Sequence, residues 1–134
     1  MAQLPLRNRV LNRMSNVLIL ALLGGCAFSS FRVGYAEYCV KQRGGNVTFE
    51  GSACTIVNLQ ASDVADADLA CLQILRPQFA VYLQGTDVTD NCVPHFRGLQ
   101  PWIIDLRGTL VSSMGVKRLQ ALTASSHGCD IITD

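Results

Sequence analysis

The fold is decided by an eight-residue motif that occurs three times: VNLQASDV at 57–64, VYLQGTDV at 81–88 and IDLRGTLV at 104–111. Successive copies of its leucine are 24 and then 23 residues apart. Self-similarity at a period of that size is typical of repeat proteins, in which each repeat is one supersecondary unit stacked on its neighbours. The spacing therefore predicts an α/β solenoid rather than a closed globule.

Each unit carries a second repeated feature, an apolar triad spaced by three residues. The triads are Leu69-Leu72-Leu75, Val93-Phe96-Leu99 and Val116-Leu119-Leu122. This spacing places an apolar stripe on one side of a short helix. Pro77 and Pro101 each lie two residues beyond a triad, where proline ends a helix and turns the chain toward the next strand. One unit is therefore predicted to contain a strand, a turn, a helix and a return.

Residues 35–56, before the repeats, are predicted to form an N-terminal cap. Tyr35 to Arg43 has helical character and is stopped by the glycine pair Gly44-Gly45. Two β-prone runs follow, at 47–50 and 54–59, and the small residues between them favour a hairpin. The cap is thus predicted as a helix followed by a hairpin.

The repeats are predicted to span residues 57–134 as three units and a partial fourth. In the fourth unit, Cys129 is placed in the position of Val81 and Ile131 in the position of Leu83. This alignment requires a small insertion in the third unit, around residues 125–128.

The two fullest copies of the motif, LQGTDVTD at 83–90 and LRGTLVS at 106–112, resemble the leucine-rich repeat family once the triads are placed beside them. More narrowly, they are similar to its bacterial form, whose units read Leu-x-Leu-x-Gly-Thr-x-Val-Thr-Asp-x-Gly-Leu. The resemblance covers residues 36–134, although the first unit has Ala61-Ser62 in place of Gly-Thr. It implies parallel strands on a concave face and short helices on a convex face. The motif hydroxyls are expected to be structural; they are Ser62, Thr86 and Thr109.

The N-terminal 25 residues are predicted to be an export signal. A basic segment precedes the apolar run at 17–23, which is too short to span a bilayer. The run ends in LGGC at 23–26, which resembles the lipobox of bacterial lipoproteins. That resemblance implies cleavage before Cys26, fatty acylation of its thiol (palmitate or a similar chain), and a tether at 26–34. The alternative is an ordinary signal peptide and a soluble secreted or periplasmic protein.

The charge balance argues against a nucleic-acid partner. After Cys26 the chain has eight basic and ten acidic residues, and no basic stripe is visible. No cofactor or catalytic motif is present either, so the chain is predicted not to be an enzyme and to need no cofactor.

The candidate binding surface consists of the residues that project outward from the strands. Stacked strands lie about 4.8 Å apart, so these residues form continuous polar rows suited to a protein or peptide partner. The predicted protein-binding residues are Asn58, Gln60, Tyr82, Gln84, Asp105, Arg107 and Asp130. The predicted function is a non-catalytic protein-protein interaction module of the cell envelope. Three alternatives remain open: a solvated surface without a partner, a structural protein that self-associates through its open last unit, and a thiol or metal enzyme.

Five cysteines remain after Cys26, and an odd number in an exported chain leaves at least one thiol unpaired. Cys39 and Cys54 are the candidate disulfide, since both lie in the predicted cap. The other three are interpreted as small buried apolar residues. The pairs Cys92/His95 and His127/Cys129 lack the close, matched spacing of a zinc site, so no metal site is predicted. The aspartates that follow the strands are interpreted as turn formers and helix caps.

Overall fold

Five strands form one sheet whose order follows the chain. They are β1 Asn46–Glu50, β2 Ala53–Asn58, β3 Ala80–Tyr82, β4 Ile103–Asp105 and β5 Asp130–Ile132. β1 and β2 pair antiparallel, whereas β2 to β5 pair parallel. Helical segments connect the parallel strands, because parallel pairing needs a crossover connection. The protein is therefore a mixed α/β fold with a mostly parallel sheet.

The structure is a computed structural model that describes residues 30–124 and 128–134. The chain divides into two units, Met1–Arg32 and Val33–Asp134. Residues 30–32 are the described part of the first unit, and they are helical. The sheet and the hydrophobic core belong to the second unit.

The repeated motif holds the parallel strands in one register. Val57 pairs with Val81, and Val81 pairs with Ile104. Alternate residues of a strand face opposite sides, so the two inward positions of each motif point into the core. These inward residues are at most 3% exposed: Val57, Leu59, Val81, Leu83, Ile104 and Leu106. The prediction that they build the core is confirmed.

The register of β5 corrects the predicted fourth unit. Ile131 pairs with Ile104, although the sequence placed it at the next inward position, and Ile132 pairs with Asp105. The partners Ile104 and Ile131 are 27 residues apart, against 23 between Val81 and Ile104. The added residues lie in a polar return that has no apolar landmark, so their number could not be read from the motif.

The helix of the N-terminal cap is observed as predicted. Residues 33–42 form helix α1, whose inward side carries Ala36 and Val40, 1% and 2% exposed. The helix ends at the glycine pair, because Gly44 has a φ of +84° and the Gly45 N–H donates to the Val40 carbonyl at 3.0 Å. A Cβ on Gly45 would lie closer than 3.0 Å to neighbouring side-chain and backbone atoms, so glycine alone fits there.

The hairpin is also confirmed, with Gly51-Ser52 between Glu50 and Ala53 at the turn. Within the predicted tether at 26–34, residues 30–34 are helical, and residues 26–29 lie outside the described residues. Val33 packs against the core and extends the inward stripe of α1 toward the N-terminus, which favours helix over an extended segment.

The helical segments form a second layer against the inward side of the sheet. They are the 3-10 helix Asp66–Cys71, continued by α2 Leu72–Leu75, the 3-10 helix Asp90–Phe96, and α3 Ser113–Thr123. Leu69, Leu72, Phe96 and Leu119 are completely buried, so each predicted triad contributes to the core. A spacing of three matches the 3-10 helix, in which residues i and i+3 eclipse, better than the α-helix.

Candidate functional site

The outer face of the sheet is the surface formed by Asn58, Gln60, Tyr82, Gln84, Asp105 and Arg107. Asn58, Tyr82 and Asp105 are paired in register across β2, β3 and β4. The register continues beyond the strand ends, because the Ala61 N–H donates to the Gln84 carbonyl at 2.8 Å. The structure therefore brings six of the seven predicted binding residues into two adjacent rows.

Asp130 does not belong to these rows. It pairs with Ile103, two residues before the position predicted for it. Ile132, beside Asp105, is its replacement in the first row and is 37% exposed. Asp134 follows in the second row, where its carboxylate accepts the Gly108 N–H at 2.7 Å. Asp134 was missed because the sequence alignment of the fourth unit was displaced by two, and the same displacement placed Ile132 in the second row rather than the first.

The second row begins with a ladder of two amides. Nε2 of Gln60 donates to Oε1 of Gln84 at 3.2 Å, and both side chains lie at the surface. Beneath it, the Oδ1 of Asn58 accepts the Gln60 N–H at 3.0 Å and fixes the chain as it leaves β2. Each amide retains further donor and acceptor capacity, so this part of the face can bind a backbone or polar side chain of a partner.

Asp105 differs from the expectation that every outward residue is exposed. It is 1% exposed, because the Arg107 side chain folds over it with Nε at 3.0 Å from Oδ1 and Nη2 at 2.7 Å from Oδ2. This two-point ion pair lowers the pKa of the Asp105 carboxyl, and the Arg107 N–H bond to Oδ1 acts in the same direction. Arg107, half-exposed, is therefore the part of the pair that a partner can reach.

Tyr82 is the aromatic residue of the outer face and is half-buried. It stands between Asn58 on one side and Asp105 on the other. An aromatic ring flanked by an amide and an ion pair has the composition of interface hot spots, which are enriched in Tyr, Trp and Arg. The composition of the outer face therefore suits non-catalytic binding of a partner.

The motif hydroxyls are structural, as expected. Ser62 donates to the Leu59 carbonyl at 2.6 Å, and Thr86 donates to the Leu83 carbonyl at 2.7 Å. Thr109 makes the equivalent bond at 2.7 Å. These bonds satisfy carbonyls where the chain turns away from the sheet, so the hydroxyls are not free for a ligand.

Two aspartates that were interpreted from the sequence as turn formers and helix caps, Asp66 and Asp90, connect neighbouring units. The Asp66 carboxylate accepts from both the N–H and the hydroxyl of Thr89, at 2.8 and 2.6 Å. Asp90 makes the same pair of bonds to Ser112, at 2.7 and 2.6 Å, and these bonds lower the pKa of Asp90. The signal was available, since each aspartate precedes a hydroxyl residue by nearly one repeat.

Burial lowers the acidity of the cysteine thiols in the core. It raises the pKa of Cys71 to about 11 and that of Cys92 to about 12, so only a small fraction of either thiol is ionised at neutral pH. Cys39 and Cys54 are free thiols in the structure rather than the predicted disulfide. Within 30–124 and 128–134, no three His, Cys, Asp or Glu residues are grouped so that they could hold a metal ion.

Comparison of the chain with protein-family models, with curated proteins and with solved structures found no match in any of the three. The predicted acylation site, Cys26, and the signal peptide lie outside the described residues. No helix in the described part of the chain is both long enough and apolar enough to cross a membrane.

Proposed function

We propose that the protein is a small leucine-rich repeat module of the bacterial cell envelope that binds a protein or peptide through the outer face of its sheet. The observation that carries the proposal is the repetition of apolar inward residues beside the variation of the outward ones. Asn58, Tyr82 and Asp105 occupy equivalent positions with three different chemistries. A scaffold with regular inward positions and varied outward ones can carry a specific surface without altering its fold.

The leucine-rich repeat assignment is supported by three features that recur in successive units. They are the strand register, the hydroxyl bond at the turn, and the aspartate bond to the next unit. In such an array the outer face is concave and the helical layer is convex. Binding is then recognition by shape and polar contacts, with Tyr82 and Arg107 as the anchors.

The face is tested by photo-crosslinking in intact bacterial cells that express the full chain. A photoreactive phenylalanine replaces Gln60 or Gln84 on the outer face, and Gln120 on the exposed side of α3 serves as the control. We expect a defined adduct from positions 60 and 84 and none from position 120. Tyr82→Ala is expected to weaken the adduct about tenfold. Equal adducts from all three positions, or adducts from position 120 alone, would refute the outer face as the binding site.

The membrane anchor is a separate part of the proposal and has its own test. We propose that the protein is exported, cleaved before Cys26 and held on the membrane by acyl chains on that residue. The intact mass of the mature protein from the membrane fraction should exceed that of residues 26–134 by the mass of the lipid. Cys26→Ser should remove the added mass and release the protein from the membrane. A mature protein cut elsewhere, without added mass, contradicts the anchor and leaves the binding face untouched.

Self-association is a second candidate, favoured by the state of β5. This strand pairs with β4 on one side, and no other strand of the described chain pairs with its far side. Its residues Asp130 and Ile132 are exposed. An unpaired strand edge is a template for another chain. In the crosslinking experiment, an adduct of twice the chain mass would identify this function, and Ile132→Lys should abolish it.

A further inference from the structure

Two thiols, Cys39 partly exposed and Cys71 buried, line one cavity between α1 and the first helical segment of the repeats. Cys39 of α1 and Cys71 at the end of the 3-10 helix both line this cavity, whose volume is about 390 Å³. Cys71 is 8% exposed and Cys39 is more exposed. Cys54, the partner that the sequence suggested for Cys39, is buried in β2 and does not line the cavity.

The same two elements are joined one turn away by an ion pair. Nη2 of Arg43 lies 3.0 Å from Oδ1 of Asp68. Arg43 follows Cys39 by four residues, about one α-helical turn, and Asp68 precedes Cys71 by three, one turn of a 3-10 helix. The ion pair and the two cysteines therefore lie on adjacent turns of the same two elements. At each turn, one residue belongs to the α1 segment and the other to the 3-10 helix.

The electrostatic environment agrees with this geometry. Burial is the main cause of the raised pKa of Cys71, and the nearby Cys39 is the next cause, ahead of Asp68 and Cys54. Cys54 has Glu37 rather than Cys39 as its charged neighbour. Cys39 therefore contributes to the raised pKa of Cys71 and is not among the causes of the raised pKa of Cys54.

We infer that Cys39 and Cys71 form a redox-active pair that closes into a disulfide across the cavity and ties α1 to the first repeat. In the first step, the more exposed Cys39 thiolate attacks a low-molecular-weight disulfide such as oxidised glutathione. This forms a mixed disulfide and releases one glutathione thiolate. Cys71 then loses its proton to solvent and attacks the Cys39 sulfur, which releases the second glutathione. Two thiols become one disulfide, and the oxidant takes up the two electrons.

The raised pKa of Cys71 makes the second step the slower one, since only the thiolate attacks. The mixed disulfide on Cys39 therefore accumulates briefly before closure. The closed bond spans the cavity, so the space available to a ligand there is smaller in the oxidised protein than in the reduced one.

The test uses the full chain purified in detergent, reduced, and equilibrated with mixtures of reduced and oxidised glutathione. Remaining thiols are alkylated with N-ethylmaleimide and counted by intact mass. We expect oxidation to remove two adducts without adding glutathione mass. Digestion with trypsin and an Asp-specific protease separates Cys54 from Cys71, because Asp63 lies between them. The linked peptides should contain Cys39 and Cys71.

Matched variants locate the bond. Cys54→Ala should still lose two adducts, and Cys39→Ser should lose none. Cys71→Ala should lose one adduct and gain one glutathione mass, because the mixed disulfide on Cys39 then has no resolving thiol. All three variants should keep a native circular dichroism spectrum. The melting temperature should rise on oxidation by about 10 °C in the parent chain and not in Cys39→Ser. A bond between Cys39 and Cys54, or no loss of adducts in fully oxidised glutathione, would overturn the inference.

The ion pair provides a finer test. Arg43→Ala should lower the equilibrium constant for closure about threefold, because an exposed ion pair aligns the two elements only modestly. Lys41→Ala is the matched control, since Lys41 pairs with Glu37 within α1 at 2.7 Å and does not reach the repeats. Equal effects of the two variants would contradict the proposed alignment.

Discussion

The inner and outer faces of the sheet are built from neighbouring residues but obey different constraints. The two inward positions of the motif are apolar and buried in its three copies, at 57–64, 81–88 and 104–111. The outward residues at equivalent positions, Asn58, Tyr82 and Asp105, share a register and little else. Repetition is therefore required where the units pack against one another, and variation is tolerated where they face outward. The fold depends on the first face, and we propose that the second face carries the function.

The largest effect is expected on the layer that packs against the inner face. Phe96 is completely buried in the 3-10 helix Asp90–Phe96. Phe96→Ala should reduce the free energy of unfolding by about 4 kcal/mol, because it removes a large buried side chain and leaves a cavity. His95→Ala, one residue earlier and partly exposed, should cost less than about 1 kcal/mol. Urea denaturation of both variants measures the difference, and similar losses would contradict the assigned core.

The aspartate that links the first two units should have the next largest effect. Asp66→Ala removes two hydrogen bonds to Thr89 and should cost about 1 to 2 kcal/mol of unfolding free energy. Asp87→Ala, at an exposed turn position, is the control and should cost less than about 0.5 kcal/mol. If Asp66→Ala unfolds at the same urea concentration as the control, the link does not stabilise the stack.

Asp105 tests whether an outward residue can also be structural. Its pKa is lowered below the ordinary value of 3.8, so its stabilising effect is present above that pH and is lost as the pH falls through the folded-state pKa. Asp105→Asn should cost about 1 kcal/mol at pH 7. It should also reduce the loss of stability below pH 3.8. Thermal melts between pH 2 and pH 7 measure both effects, and an unchanged acid dependence would exclude this carboxylate as its source.

The smallest effect is expected for a surface contact between units on the helical layer. Nε2 of Gln73 donates to the carbonyls of His95 and Arg97 at 2.6 and 3.1 Å. Gln73→Ala should cost about 0.5 kcal/mol, because an exposed side-chain bond exchanges readily with water. Gln78→Ala is the exposed control. If Gln73→Ala loses as much unfolding free energy as Asp66→Ala, exposed contacts between units contribute as much to stability as partly buried ones, which would contradict the account.

Most of the fold could be predicted because its determinants are repeated. The spacing of the motif predicted the parallel register of Val57, Val81 and Ile104, and the triads predicted the buried side of the helical layer. The register of β5 could not be predicted, because the longer return before Ile131 has no apolar residue to mark its length. The 3-10 geometry could not be predicted from the triads, because the same spacing of three occurs in the 3-10 helix Asp90–Phe96 and in the α-helix α3.

The outer face was less predictable than the fold. Strand alternation gives the direction of a side chain but not what covers it, so the burial of Asp105 under Arg107 could not be read from the sequence. The sequence likewise could not show whether Cys54 or Cys71 shares a cavity with Cys39, because this depends on how α1 packs against the repeats. Predicting either feature requires the tertiary structure. Arg107 folds back over Asp105, and Cys39 and Cys71 are distant in sequence.

Adjacent isoleucines of β4 test the central comparison most directly, since they undergo the same chemical change on opposite faces. Ile104 is completely buried on the inner face, and Ile103 is partly exposed on the outer face. The free energy of unfolding should fall by about 3 kcal/mol in Ile104→Ala and by about 1 kcal/mol or less in Ile103→Ala. Equal losses, or a larger loss in Ile103→Ala, would contradict the assignment of stability to the inner face.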